Sequence, residues 1–301
     1  MAAPFLKLGL EGWASDWETF PSADGTLQLF SAIHHSETWQ SEKALFVLHG
    51  LGEHGGRYAH FPYYLTKAGA PFEAVYCLDQ RGHGRSEGIR GHVDRFDSLT
   101  EDCILAIHRF DESLKKRFGK SEIHLFGHSM GGLVVLRALF RKPDLPIRSV
   151  TVSAPLLGIR VELPISKRAV AHVLSHVWGS LHMKNEVDPA LLSHDKDVVE
   201  AYKADRLVHN KGTPRFYTEL LAALADTRKR DSGLEYPLQM IVPMQDRIVD
   251  PQAALSFFRA LKSRDKQLKT YPDFYHESFN EIGKEQAFED LSTWIKTHSV
   301  S

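Results

Sequence analysis

Cysteine is scarce in this chain, with Cys77 and Cys103 the only two among 301 residues. Each lies in an apolar run and reads as a buried thiol, so neither a disulfide framework nor a Cys-x-x-Cys site is expected, and a reducing compartment fits best. No apolar run approaches the roughly 18 residues that span a bilayer. The first residues, Met1 to Gly9, lack the basic and long apolar stretches of a secretory signal. Charge of either sign is not in excess: 37 basic against 38 acidic residues give a net charge of -1, which argues against a nucleic-acid partner. Internal repeats and low-complexity segments are absent. These absences place the chain in the cytoplasm, with any membrane contact peripheral. What is present, 43% hydrophobic and 25% charged residues, is the composition of an ordinary globular enzyme. The length suits one large α/β domain, or a domain carrying an insertion.

Hydrophobic patterning then gives the order of elements. Residues 17–35 read as a hairpin turned at Asp24-Gly25. The unbroken apolar run at 44–48 suits a strand buried on both faces, and 72–78, 123–126, 147–152, 238–242 and 267–271 read as further strands. Helices are expected over 58–67, over 98–118, where Leu99, Cys103, Ala106, Ile107, Phe110 and Leu114 recur at helical spacing, directly after 129, and over 251–261 and 286–297. Strand–helix alternation implies a mostly parallel sheet covered on both faces. The alternation breaks from 156 to 233, a mainly helical stretch with helices expected at 188–202 and 213–225. Around 168–181, Val170, Val173, Leu174, Val177, Trp178 and Leu181 share one helix face, and Arg168, His172, Ser175 and His176 the other. The stretch reads as a lid inserted between sheet strands, so the expected division is a core of 1–155 and 234–301 and a lid of 156–233.

The chemistry centres on Gly127-His128-Ser129-Met130-Gly131-Gly132, which follows a strand and opens a helix. In that context Gly-x-Ser-x-Gly is a nucleophile elbow, a sharp turn presenting the serine at the top of a sheet. A neutral hydroxyl needs a base, and the base an orienter, placed later in the order acid, then histidine. Asp246 and Asp250 compete for the acid. Asp250 precedes Pro251 and a helix and is explained as an N-cap, leaving Asp246 for the acid. Seventeen histidines compete for the base; His34 and His35 read as the end of a surface strand, and His108 and His124 fall within regular elements. His276 stands in the loop after the final strand and is the expected base. The oxyanion would be met by the Met130 amide and by the glycine-rich end of the third strand, His49-Gly50-Leu51-Gly52, with the Leu51 amide favoured. His172 and His176 are spaced i, i+4 but lack a third ligand, so neither a metal nor a cofactor is expected.

Three blocks of sequence now resemble a known family. His49-Gly50-x-Gly52-Glu53-His54-x-x-Arg57-Tyr58, Asp79-x-x-Gly82-His83-Gly84-x-Ser86-x-Gly88 and the elbow together resemble the monoacylglycerol lipase and lysophospholipase branch of the α/β-hydrolases. Asp246-x-Ile248-Val249 and Tyr275-His276-Glu277 extend the match over about residues 17–297. The resemblance implies the α/β-hydrolase fold, a mostly parallel eight-stranded sheet flanked by helices with an inserted helical lid. It implies a Ser129–Asp246–His276 triad, with oxyanion amides at Leu51 and Met130. The implied substrate is the ester of a single-chain glycerolipid, near Gly50, Glu53, Arg57 and His128; Glu53 and Arg57 read either as headgroup contacts or as an internal ion pair. Phe279 stands where animal monoacylglycerol lipases carry a second histidine, and Pro243 where relatives often have glycine. A general carboxylesterase or thioesterase, and a non-catalytic binding protein on a hydrolase scaffold, are the competing readings.

Overall fold

A computed structural model describes residues 11–160, 165–184, 187–230 and 233–300. The N-terminal segment read for a signal, the side chain of Arg168 and parts of the 156–233 stretch lie outside the described residues.

Eight strands form the main sheet: β1 (Trp13–Pro21), β2 (Gln28–Ser36), β3 (Lys43–Leu48), β4 (Ala74–Asp79), β5 (Glu122–His128), β6 (Ser149–Ser153), β9 (Leu238–Pro243) and β10 (Lys266–Tyr271), in the order β1-β2-β4-β3-β5-β6-β9-β10. Strand β1 pairs antiparallel with β2, and β2 with β4; from β4 onward all neighbours are parallel. The short strands β7 (Met183–Lys184) and β8 (Lys211–Gly212) pair apart from it as a two-stranded ribbon.

Period-two geometry explains why a central strand such as β3 reads as an apolar run, each face meeting its own core. In β3, Phe46 and Leu48 enter one core with Leu99 and Phe110 of α2 (Asp97–Phe118), Leu133 of α3 (Met130–Arg141) and Phe257 of α7 (Pro251–Ala260). The alternate residues Leu45 and Val47 enter a second core with Phe61 and Leu65 of α1 (Phe61–Lys67) and Phe288 and Leu291 of α8 (Glu285–His298). Helix α2 stops at Gly119, whose φ of +78° closes the last turn.

Between β6 and β9 lie α4 (Ile165–Val177), a 3-10 turn at Pro189–Leu191, α5 (Lys196–Ala204) and α6 (Pro214–Arg228). The helix expected over 188–202 is broken, because Ser193 and His194 are bound to a distant carboxylate and Asp195 starts α5 as its N-cap. Helix α6 buries Phe216, Leu220 and Leu224 in the main core, and α4 packs on α6. Among the described residues of α4 and its C-terminal end, the large hydrophobics Val170, Val173, Val177 and Trp178 are exposed, as are His172 and His176, while Ser175, expected on the polar face, is buried and donates to the His172 carbonyl at 2.6 Å. His34 also differs from its surface reading: β2 is an inner strand, and the ring is buried. Burial, then the neighbouring His35, lowers its pKa to about 4. Among the described residues no helix is long and apolar enough to cross a membrane.

Candidate active site

The parallel register brings the C-terminal ends of β3, β5, β9 and β10 to one edge of the sheet, with Leu48 opposite Gly127 and Tyr271 opposite Pro243. Ser129 leaves β5 at φ 52° and ψ -118°, a left-handed conformation that costs a non-glycine residue on the order of 1–3 kcal/mol. Its neighbours hold it there: Ser129 N–H donates to the Ser153 carbonyl at 3.0 Å, and the Ser129 carbonyl accepts from Leu156 N–H at 2.9 Å. Among the described residues, the other non-glycine residue with positive φ, Ala154 at 44°, adjoins the same bonds. Gly131 is required for packing, since a Cβ there would collide with the carbonyl oxygens of Leu48 and His49. Helix α3 therefore starts directly against the end of β3. Gly50 faces the nucleophile, because a Cβ on it would stand 3.1 Å from that of Ser129.

Asp246 and His276 come together across two loops. Nδ1 of His276 lies 2.6 Å from Oδ2 of Asp246. The carboxylate is fully buried, and its other oxygen accepts from the amides of Ile248 and Val249 at 2.8 and 3.0 Å. Asp250 instead caps α7, accepting from Gln252 N–H at 3.0 Å. Burial pulls the His276 pKa down, but the charge and hydrogen bond of Asp246 outweigh it, and the imidazole titrates above its ordinary value. The His276 ring lies 4.7 Å from that of His128, which immediately precedes Ser129. Burial and then the His276 charge lower the His128 pKa to about 4, so this second imidazole stays neutral.

The Met130 amide belongs to the first turn of α3, where no intrahelical carbonyl reaches it and the helix dipole favours negative charge. Leu51, half-buried, packs on the main core at the end of β3. Glu53 shapes this loop: one oxygen accepts from Gly50 N–H at 2.5 Å and Tyr58 O–H at 2.9 Å, the other from Arg57 Nη1 at 2.7 Å. Arg57 also forms a two-bond pair with Glu277, at 2.6 and 2.7 Å, and lies 4.7 Å from the ring centre of Tyr202. Burial raises the Glu277 pKa, but the Arg57 charge reverses this and holds it at about 2. Glu53 and Arg57 thus meet each other inside the protein, joining the loop after β3 to the residue beside His276.

Sequence reasoning assigned no role to Glu277, although its place beside His276 was a usable signal. Tyr202, Asp205 and His209 gave no signal at all, and they reach the site from the helical stretch. His209 N–H donates to the Gly52 carbonyl at 2.8 Å, and His54 Nε2 lies 2.8 Å from Asp205. Gly52 has φ +78°, and a Cβ on it would sit 2.5 Å from the His209 carbonyl oxygen. Among the described residues no three His, Cys, Asp or Glu side chains gather as metal ligands would.

A strained serine at a strand–helix elbow, a buried Asp–His pair beside it and a doubly wound sheet define a serine hydrolase of the α/β-hydrolase fold. The sequence pattern of the family described as serine aminopeptidase, S33, matches residues 40–283. A monoacylglycerol lipase of Mycolicibacterium smegmatis is 32% identical over 255 residues, covering 84% of this chain and 87% of that one. An uncharacterized abhydrolase domain-containing protein of Dictyostelium discoideum is also 32% identical, over 83% of this chain but only 26% of its own greater length. The crystal structure of Paleococcus ferrophilus monoacylglycerol lipase superposes with a TM-score of 0.74 at 30% identity, covering 95% of this chain and 99% of that one. The chain belongs to this serine hydrolase family, in the branch that includes the monoacylglycerol lipases.

Proposed function

We propose that this protein hydrolyses carboxylic esters of single-chain glycerolipids, a monoacylglycerol or a lysophospholipid, through an acyl-enzyme on Ser129. The 2.6 Å Asp246–His276 pair beside the Ser129 elbow carries the reading. Nε2 of His276 takes the serine proton as Oγ attacks the ester carbonyl. Asp246 holds the tautomer and stabilises the imidazolium, and the amides of Leu51 and Met130 receive the oxyanion. As the tetrahedral intermediate collapses, His276 returns the proton to the leaving alcohol. Water then attacks the acyl-enzyme by the same route and regenerates Ser129. No step calls for a cofactor.

The names of the M. smegmatis and P. ferrophilus relatives support a lipid ester. The stretch 156–233 would then act as a lid over the acyl chain, and the exposed Val170, Val173, Val177 and Trp178 would rest on a membrane from the cytoplasmic side. A panel of monoacylglycerols, lysophospholipids, short-chain esters, thioesters and an aminoacyl anilide tests the substrate class. Preference for acetyl or butyryl esters would replace the lipase reading by a general carboxylesterase, and cleavage of the anilide alone would favour the peptidase that the family description names. Ser129→Ala should lower kcat by about 10⁶-fold if the triad acts as a unit; near-normal turnover refutes the mechanism, and failure of a fluorophosphonate to label Ser129 favours a binding protein.

A further inference from the structure

The loop that carries His276 holds two buried acids, Glu277 and Glu281. The first is paired with Arg57, as described. Glu281, 1% exposed, is satisfied quite differently. Its carboxylate accepts from Tyr275 N–H at 3.1 Å, Ile282 N–H at 2.8 Å, Ser193 Oγ at 3.2 Å and His194 N–H at 3.0 Å, and it lies 2.6 Å from His194 Nδ1. Two of these residues flank the 3-10 turn and α5 of the helical stretch; another is the immediate neighbour of His276. The His194 ring also stacks on Tyr275, with centres 3.7 Å apart. On the other side of His276, Glu277 N–H donates to the Leu192 carbonyl at 2.9 Å. The backbone on both sides of the histidine is thus tied to one short segment, Leu192 to His194, directly at Glu277 and through the Glu281 carboxylate at Tyr275.

We propose that Glu281, acting with His194, is a positioning residue for the hydrolysis: it fixes Tyr275 and so sets the reach of the His276 imidazole toward Ser129. The proposal rests on the serine-hydrolase reading. Asp246 grips the ring through one nitrogen, and a ring held by one bond can still swing about it. A second constraint must come from the backbone, and the Tyr275 amide supplies it. A buried carboxylate without its donors is strongly disfavoured, so the whole set of bonds stands or falls together.

Glu281→Gln and His194→Phe in the full chain test this. His194→Phe keeps a ring on Tyr275 and removes only the side-chain bond, and the 39% exposure of His194 protects folding. Expected in both is a fall in kcat, up to about 10²-fold as for a misplacement of roughly 1 Å, with KM for a soluble ester unchanged. The rate of fluorophosphonate acylation of Ser129 should fall by the same factor. The acid limb of the kcat/KM profile should move down toward the ordinary histidine value as the grip of Asp246 loosens. Wild-type kcat and acylation rates in both variants, with only the melting temperature lowered, would overturn the proposal and make Glu281 merely structural. If Glu281→Gln does not fold, His194→Phe decides alone, and unchanged kcat there overturns it. An unlabelled Ser129 in the wild-type protein would instead remove the serine-hydrolase reading itself.

Discussion

Helix α4 and the segment from Leu192 to His209 belong to the same stretch between β6 and β9, yet they are built in opposite ways. Around α4, which packs on α6, Val170, Val173, Val177 and Trp178 are between 58% and 80% exposed. The later segment has few large apolar residues but binds the loops that carry the site. Leu192 and His194 hold the His276 loop, Asp205 pairs with His54, and His209 bonds to Gly52. A third piece, at the start of the stretch, supports the acid loop: Arg160 donates to the Asp246 carbonyl at 2.7 Å, and Asp250 N–H to the Gly158 carbonyl at 3.0 Å. A single word such as lid hides this division. One part braces the catalytic loops from above, and the other offers a greasy surface to whatever lies outside.

The sharpest way to break the comparison is Gly52→Ala. The added methyl meets the His209 carbonyl oxygen in a backbone conformation that alanine resists, so the loop after β3 must move. Loss of one oxyanion donor typically lowers kcat about 10²–10³-fold, and a fall of that size is expected with the melting temperature reduced. Steady-state kinetics on a soluble ester check it; wild-type kcat would show that the brace is not needed.

Acid should find the brace next. Burial, then the charge of His209, lowers the His83 pKa to about 3, and burial chiefly lowers that of His209 to about 4; the two rings lie 4.9 Å apart. Both folded values lie below the unfolded one, so the unfolded chain binds more protons in between. Stability is fully present above about pH 6.5 and is lost as pH falls toward 4. Thermal melts from pH 7 to 4 should show this loss, and His83→Asn with His209→Asn should lessen it, buried His34 and His128 contributing the remainder. An unchanged pH slope in that double variant would be the contrary result.

The smallest effect in solution is expected at α4. Val173→Ser with Trp178→Ser should change stability by no more than about 0.5 kcal/mol per site and leave kcat on dissolved esters intact. Turnover of a monoacylglycerol presented in vesicles should fall. Equal activity of wild type and variant on both forms of substrate would mean that the apolar face has no membrane role.

Legibility in the sequence follows the range of the interaction. The central strands declared themselves because burial on both faces leaves an apolar run, and α2 because six residues recur at helical spacing. The elbow was legible because its turn demands small residues at fixed positions. Asp246 and Asp250 could be separated because a helix cap has a local signature and an acid bound to a distant histidine has none. The bonds of Glu281 to Ser193 and His194 cross 87 or more positions and obey no period, and no pattern foretold them. The break they impose in the helix expected over 188–202 was hidden for the same reason. His34 was misread as the end of a surface strand because the pairing of β2 with β4, which no local pattern reveals, makes β2 an inner strand.

The placement of the triad along the chain has a consequence for how activity arises. Ser129 and its strained turn come early, the bracing segment follows, and His276 is among the last residues to join the sheet edge. If Ser129 and His276 act as proposed, the nucleophile is synthesised long before its base and should stay unreactive until β10 has docked beside β9. Parallel pairings of this kind close slowly, because distant parts of the chain must meet before any contact rewards them. On the proposed mechanism, reactivity toward esters should therefore appear only with the completed fold.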